Sequence, residues 1–129
     1  MQLTHNILGW FEIPVNDMER AIRFYQKVFL NELLRLRFGQ LDMARFPAND
    51  EIAGATGALV HYPDFYQPSS GGVLIYLSTP TGNLDDDLTR VEQAGGKVIV
   101  PRKEISENFG YIAVIGDPEG NRIALHSRT

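Results

Sequence analysis

Glu12, His61, Tyr76 and His126 are the side chains of this chain whose types best suit chemistry. Two imidazoles and one carboxylate form the ligand set of many non-haem iron sites, and a tyrosine hydroxyl can hydrogen-bond a bound oxygen or donate a proton. The same groups also serve metal-free acid–base work. Glu12 follows the only tryptophan, Trp10, and Phe11. Desolvation beside such rings would raise its pKa towards neutrality, where a carboxylate abstracts a proton next to a carbonyl. The bland alternative is that Glu12 and the histidines satisfy one another or orient a neutral ligand.

Cysteine is absent, so disulfides, thiolate nucleophiles and zinc–thiolate sites are excluded together. Trp10 is expected to form an aromatic wall for a planar or apolar ligand, or else to pack across an interface. Tyr111 faces the same cavity only if its strand parity is as read, since a slip of one residue turns it into the core. His5 lies in a polar N-terminal segment and reads as surface. Asp85, Asp86 and Asp87 fall in the first turn of a helix and read as solvated residues complementing its dipole. Arg35, Arg37 and Arg45 alternate along two strands and can either meet an acidic ligand or cover an exposed sheet face.

No glycine-rich phosphate loop, nucleophile elbow or dinucleotide fingerprint is visible. The net charge of −4, with no basic run, argues against nucleic acid or an anionic membrane as partner. The N-terminal residues lack a basic start and a long apolar stretch, and no run approaches the roughly 20 apolar residues that span a bilayer. The expectation is a soluble, cytoplasmic protein.

The elements that must position these residues occur twice, about 64 positions apart. The first copy, about 8–62, opens with a strand at Gly9–Val15, then a helix capped by Asn16 or Asp17 and running to Phe29, with Glu19 placed for a capping box. Strands follow at Leu34–Phe38, Gln40–Phe46 and Thr56–Tyr62, with Gly39 suited to a tight reversal. The second copy, about 72–127, opens with Gly72–Thr79, then a helix capped by Asn83 and ended by Gly95 and Gly96. Strands follow at Lys97–Val100, Tyr111–Gly116 and Arg122–Ser127, the last two joined by the turn Asp117–Asn121. Residues 63–71 read as the linker, and 129 residues at 43% hydrophobic content suffice for one domain. The fold class is therefore α+β, two tandem β-α-β-β-β modules whose sheets enclose a cavity within one chain or across a dimer.

FEIPVNDMERAIRFYQKVF, LTRVEQAGGKV and above all GDPEGNRIALHS resemble the vicinal oxygen chelate superfamily, which includes glyoxalase I, bleomycin-resistance proteins and extradiol dioxygenases. WFEIPVND with IAVIGDPEGNRIALHS is most similar to the small proteins related to lactoylglutathione lyase. The resemblance implies a homodimer, a small-molecule ligand and four metal-ligand positions on the first and last strand of each module. Aligned on PVND and DPEGN, those positions fall on Trp10, Leu59, Leu74 and Ala124, none of which binds a metal. Glyoxalase I chemistry needs a divalent ion for the enediolate and a carboxylate for the proton, so that assignment is rejected and no cofactor is expected.

Residues two positions beyond each lost ligand, Glu12, His61, Tyr76 and His126, are expected to point into the same cavity, since strands alternate with period two. Glu12 and Tyr76 are the candidate catalytic residues. Trp10, His61, Leu74, Tyr111, Ala124 and His126 are the candidate ligand-binding residues. Three functions stand: a metal-independent lyase or isomerase, a ligand-sequestering protein of the bleomycin-resistance kind, and a divalent-metal enzyme with displaced ligands Glu12, His61 and His126.

Overall fold

The computed structural model describes residues 2–129. The element order is β1 (Phe11–Pro14), α1 (Met18–Phe29), β2 (Leu34–Phe38), β3 (Leu41–Arg45), β4 (Gly57–His61), β5 (Tyr76–Ser78), α2 (Leu84–Gln93), β6 (Lys97–Ser106), β7 (Gly110–Gly116) and β8 (Arg122–Ser127). They form two four-stranded mixed sheets of the same topology, β1-β4-β3-β2 and β5-β8-β7-β6. In each, the first strand runs parallel to the last and the other pairs are antiparallel. This is the α+β architecture of two β-α-β-β-β modules that the repeat predicts.

Helix α1 forms because Ala21, Phe24, Tyr25, Val28 and Phe29 recur at helical spacing and are all buried. Asp17 caps it, its side chain accepting from Arg20 N at 3.1 Å. The expected capping box does not form, because with Asp17 as cap the third helical position is Arg20, and Glu19 instead accepts from Arg35 Nη1. Asn83 caps α2 as expected, accepting from Asp86 N. At Gly39 the backbone turns with φ +63°, joining Phe38 to its register partner Leu41.

Two strands depart from expectation. β5 begins at Tyr76 rather than Gly72, because Gly72 sits at φ +80° and Val73 stands in solvent. β6 runs on to Ser106 through Pro101, which an edge strand tolerates and which the register shift between Val100 and Lys103 absorbs.

One core joins the two modules. Phe24, Tyr25 and Val28 of α1 and Leu84, Leu88 and Val91 of α2 pack with Ile13, Leu59, Ala113, Ile115 and Leu125 from the two sheets. The helices therefore lie together in the middle, and no strand of one sheet packs against a strand of the other. The sheet faces turned away from the helices are left open.

The Asp117–Asn121 turn clasps the modules. Glu119 Oε1 accepts from the backbone N–H of Asn16 and of Asp17, each at 2.8 Å, and Arg20 Nε donates to Glu119 Oε2 at 2.6 Å. Asn121 Nδ2 donates to Pro14 O, and Tyr25 Oη donates to Asp117 Oδ2. Asp87 departs from the expected solvated triplet: it is fully buried and accepts from Thr79, Thr81 and Arg90.

Candidate functional site

Strand parity decides which candidates share a face. In the first sheet Phe11, Ile13, Leu59 and Ala44 belong to the helix-side core. Met43, Ala58 and Val60 pack on the opposite, open face, with Leu36, Leu41 and Tyr66. Glu12 and Arg45 alternate onto that open face, each being the register partner of Ala58 from one side. Arg45, Ala58 and Glu12 thus form one row across three strands. The alanine leaves a gap, and two strand spacings put the outer Cα atoms roughly 10 Å apart.

Glu12 is held from both sides. Tyr66 Oη donates to its Oε1 at 2.6 Å and Trp10 Nε1 to its Oε2 at 3.2 Å. The bond to Glu12 raises the Tyr66 phenol above its usual pKa, because ionising it would set two negative charges together. Tyr66 is the residue that sequence reasoning missed. It lies in the expected linker, where Phe65 and Tyr66 both bond Tyr62 O and the resulting turn folds the ring back over the sheet. The signal available was the turn sequence Tyr62-Pro63-Asp64 preceding two aromatics.

The arginines separate by face. Arg35 donates to Asp42 through Nε and Nη2 and to Glu19 through Nη1, so each of its three nitrogens already meets a carboxylate on the helix side. Its guanidinium keeps the Asp42 carboxyl below the usual range. Arg37 also reaches Asp42, at 3.6 Å. Arg45 Nε, on the open face, is buried and has no hydrogen-bond partner among the described residues.

Two expected site residues lie elsewhere. His61 has the parity of Leu59, so it stands on the helix side, where Nδ1 lies 2.9 Å from Val15 O. The alignment at Leu59 was a residue out of phase, and a shift of one reverses the face. Tyr111 has the parity of Ala113 and packs against the helix-side core, with its hydroxyl donating to Glu104 and Arg102 stacked on its ring. Neither side chain lines the open faces.

The second sheet's open face carries Tyr76, Ala124 and His126, with Tyr76 opposite Ala124 and Ser78 opposite His126. Tyr76, Ser78, Ile105, Phe109, Ile112 and His126 line a shallow hollow of about 470 Å³ there. His126 Nε2 bonds Phe109 O at its rim. Leu74 precedes β5 and is half-buried.

A divalent ion of the family's kind does not fit these residues. The positions read as metal ligands hold Trp10, Leu59, Leu74 and Ala124, and shifting the β4 position by one, to Ala58 or Val60 on the open face, restores no ligand. The displaced set does not assemble either. Glu12 and His61 occupy opposite faces of one sheet, His126 belongs to the other sheet, and among the described residues no three His, Asp or Glu side chains gather. No described helix is long and apolar enough to cross a membrane.

Comparison with known proteins agrees with this architecture. A family model described as the Glyoxalase/Bleomycin resistance protein/Dioxygenase superfamily matches residues 7–125. A lactoylglutathione lyase of Neisseria meningitidis serogroup A is 25% identical over 126 residues, covering 95% of this chain and 88% of that protein. A glyoxalase I mutant of Zea mays superposes with a TM-score of 0.67 at 19% identity, covering 94% of this chain and about half, 46%, of its own. TnmS3, an antibiotic binding protein from Streptomyces sp. CB03234, superposes with a TM-score of 0.66 at 23% identity, covering 99% and 100%.

Proposed function

The chain belongs to the glyoxalase/bleomycin resistance protein/dioxygenase superfamily, and from that premise we propose that it binds a small, mainly apolar molecule bearing an acidic group and holds it without turning it over. The observation that carries this reading is the Arg45–Ala58–Glu12 row on the open face, in which the arginine Nε is buried and unmatched while the carboxylate is already satisfied. A guanidinium so placed meets a ligand carboxylate with charge-assisted bonds, which are about twice as strong as neutral ones. Trp10 and Tyr66 supply the flat walls. The likeness to an antibiotic binding protein supports a sequestering role.

A second copy of the chain completes the site in this proposal. Both open faces carry large exposed apolar side chains, Trp10, Leu34 and Phe38 on one and Tyr76, Ile105 and Phe109 on the other. A two-fold dimer that sets one copy's first sheet against the other's second sheet covers both faces and forms two equivalent cavities.

A metal-independent lyase or isomerase is the second reading, favoured by the short Tyr66–Glu12 bond, since a carboxylate sharing a phenol proton can move protons at a bound carbonyl. The test titrates 2-naphthoate and 2-naphthamide, reading Trp10 fluorescence. Preference for the acid by about tenfold, lost in Arg45→Gln, is expected from a charge-assisted bond. Equal binding of both probes in both proteins overturns the assignment. Chemical change in ligands recovered from cell extract on the protein, abolished by Glu12→Gln, selects the enzyme.

A further inference from the structure

The two modules are equivalent in topology but not in how their strand connections close. In the second, the five-residue connection 117–121 folds down onto the β1–α1 junction and fills it with Glu119, as described above. Its counterpart in the first module is the eleven-residue connection 46–56, which faces the β5–α2 junction. That connection arches outward, with residues 47–55 exposed, and no carboxylate from it reaches the helix end. Asn83 and Thr81 serve the junction locally instead. Where the clasp stands on one side, a cavity of about 500 Å³ stands on the other.

Its walls are apolar: Phe11, Phe29 and Phe46 from the first module, Ile75 and Leu77 from the second, with Ile52 on the arching connection. Thr56 and Ser78 are polar exceptions, and so is a third residue. Asn31, in the segment after α1, lines the cavity, and its Oδ1 is buried with no hydrogen-bond partner among the described residues. A buried acceptor left unmatched is costly and uncommon in folded proteins. The volume lies within the roughly 300–1,000 Å³ of small-molecule sites.

We infer that this inter-module cavity is a second small-molecule site, taking a flat, mainly apolar molecule of one or two rings that donates one hydrogen bond to Asn31 Oδ1 once that amide turns into the cavity. The site is on the helix side of the first sheet, away from the Arg45–Glu12 face, and shares Tyr76 and Ser78 with the hollow on the second sheet. It requires no anion, because no cation lines it.

The experiment titrates 2-naphthol and 2-methoxynaphthalene, equal in shape but differing in the donor, into the wild-type protein and two variants, following backbone amide shifts. Ala55→Phe places a ring into the cavity from an exposed position, and Asn31→Ala removes the acceptor. In the wild type, the naphthol is expected to bind about tenfold more tightly than the ether, as one matched buried acceptor implies. Shifts should centre on Asn31, Leu77 and Thr56, Ala55→Phe should abolish binding, and Asn31→Ala should equalise the two probes. Absence of binding up to about 1 mM, a very weak limit, overturns the inference. So do binding indifferent to Ala55→Phe and shifts centred on Trp10 or His126.

Discussion

Tyr66 Oη lies 2.6 Å from Glu12 Oε1, so a residue of the segment between the modules completes the open face of the first sheet. The bond raises the Tyr66 phenol above the usual pKa of about 10. The difference in tyrosinate absorbance between wild type and Tyr66→Phe should therefore rise at higher pH than that of an exposed tyrosine. In a Glu12→Gln background the rise should return towards about pH 10, since a neutral amide imposes no charge repulsion.

Glu119 should contribute to stability at neutral pH and lose its contribution in acid. Burial alone would raise its pKa, but Arg20 and the backbone N–H groups of Asp17 and Asn16 outweigh that and hold the carboxyl below its usual value. Its stabilisation is therefore complete above the unfolded value of about 4.3 and is lost as pH falls through the lower folded value. Urea unfolding of Glu119→Gln should show a loss of about 1.5–3 kcal/mol at pH 7 and a shallower decline below about pH 4.3 than wild type.

Tyr25 should act at the alkaline limit. Its ring is buried, and desolvation, followed by the neighbouring Asp117 charge, pushes its phenol well above the usual value. The folded state keeps its proton while the unfolded chain releases it near pH 10, so stability falls as pH rises from about 10. Tyr25→Phe should cost about 1–2 kcal/mol at pH 7 by removing one of the hydrogen bonds that the buried Asp117 carboxylate accepts, Asn121 Nδ2 still donating to the same oxygen, and the alkaline decline in its unfolding free energy should be smaller.

Gly96 is packed too closely for any side chain. A Cβ there would come within 2.6 Å of Phe24 Cε1 and 2.8 Å of Gly116 O. Gly96→Ala is expected to lower stability by about 1–3 kcal/mol through overpacking. An unchanged denaturation midpoint would show that α1 and β7 can separate there at no cost.

If the open faces pair across a two-fold axis, wild type should sediment at twice the mass of one chain. Phe109→Lys, which places a charge among Tyr76, Ile105 and His126, should shift it to the mass of one chain without changing far-ultraviolet circular dichroism. A wild-type protein that sediments as a single chain at all concentrations would remove the second copy from the proposed site.

The sequence by itself determined the repeat, both helices, a cap at Asn16 or Asp17, the cap at Asn83, and the turn at Asp117–Asn121, because these depend on residues a few positions apart; the structure chose Asp17. Tertiary structure decided the rest. His61 and Tyr111 left the expected site because side chains alternate with period two, and an error of one residue exchanges core for open face. Arg35 and Arg45 look alike in sequence, yet one meets Asp42 and Glu19 on the helix side while the other stands unmatched on the open face. The partners of Glu12, Tyr25 and Glu119 lie 54, 92 and 99 positions away. Contacts at that range are set by how the two modules pack, which no local pattern encodes.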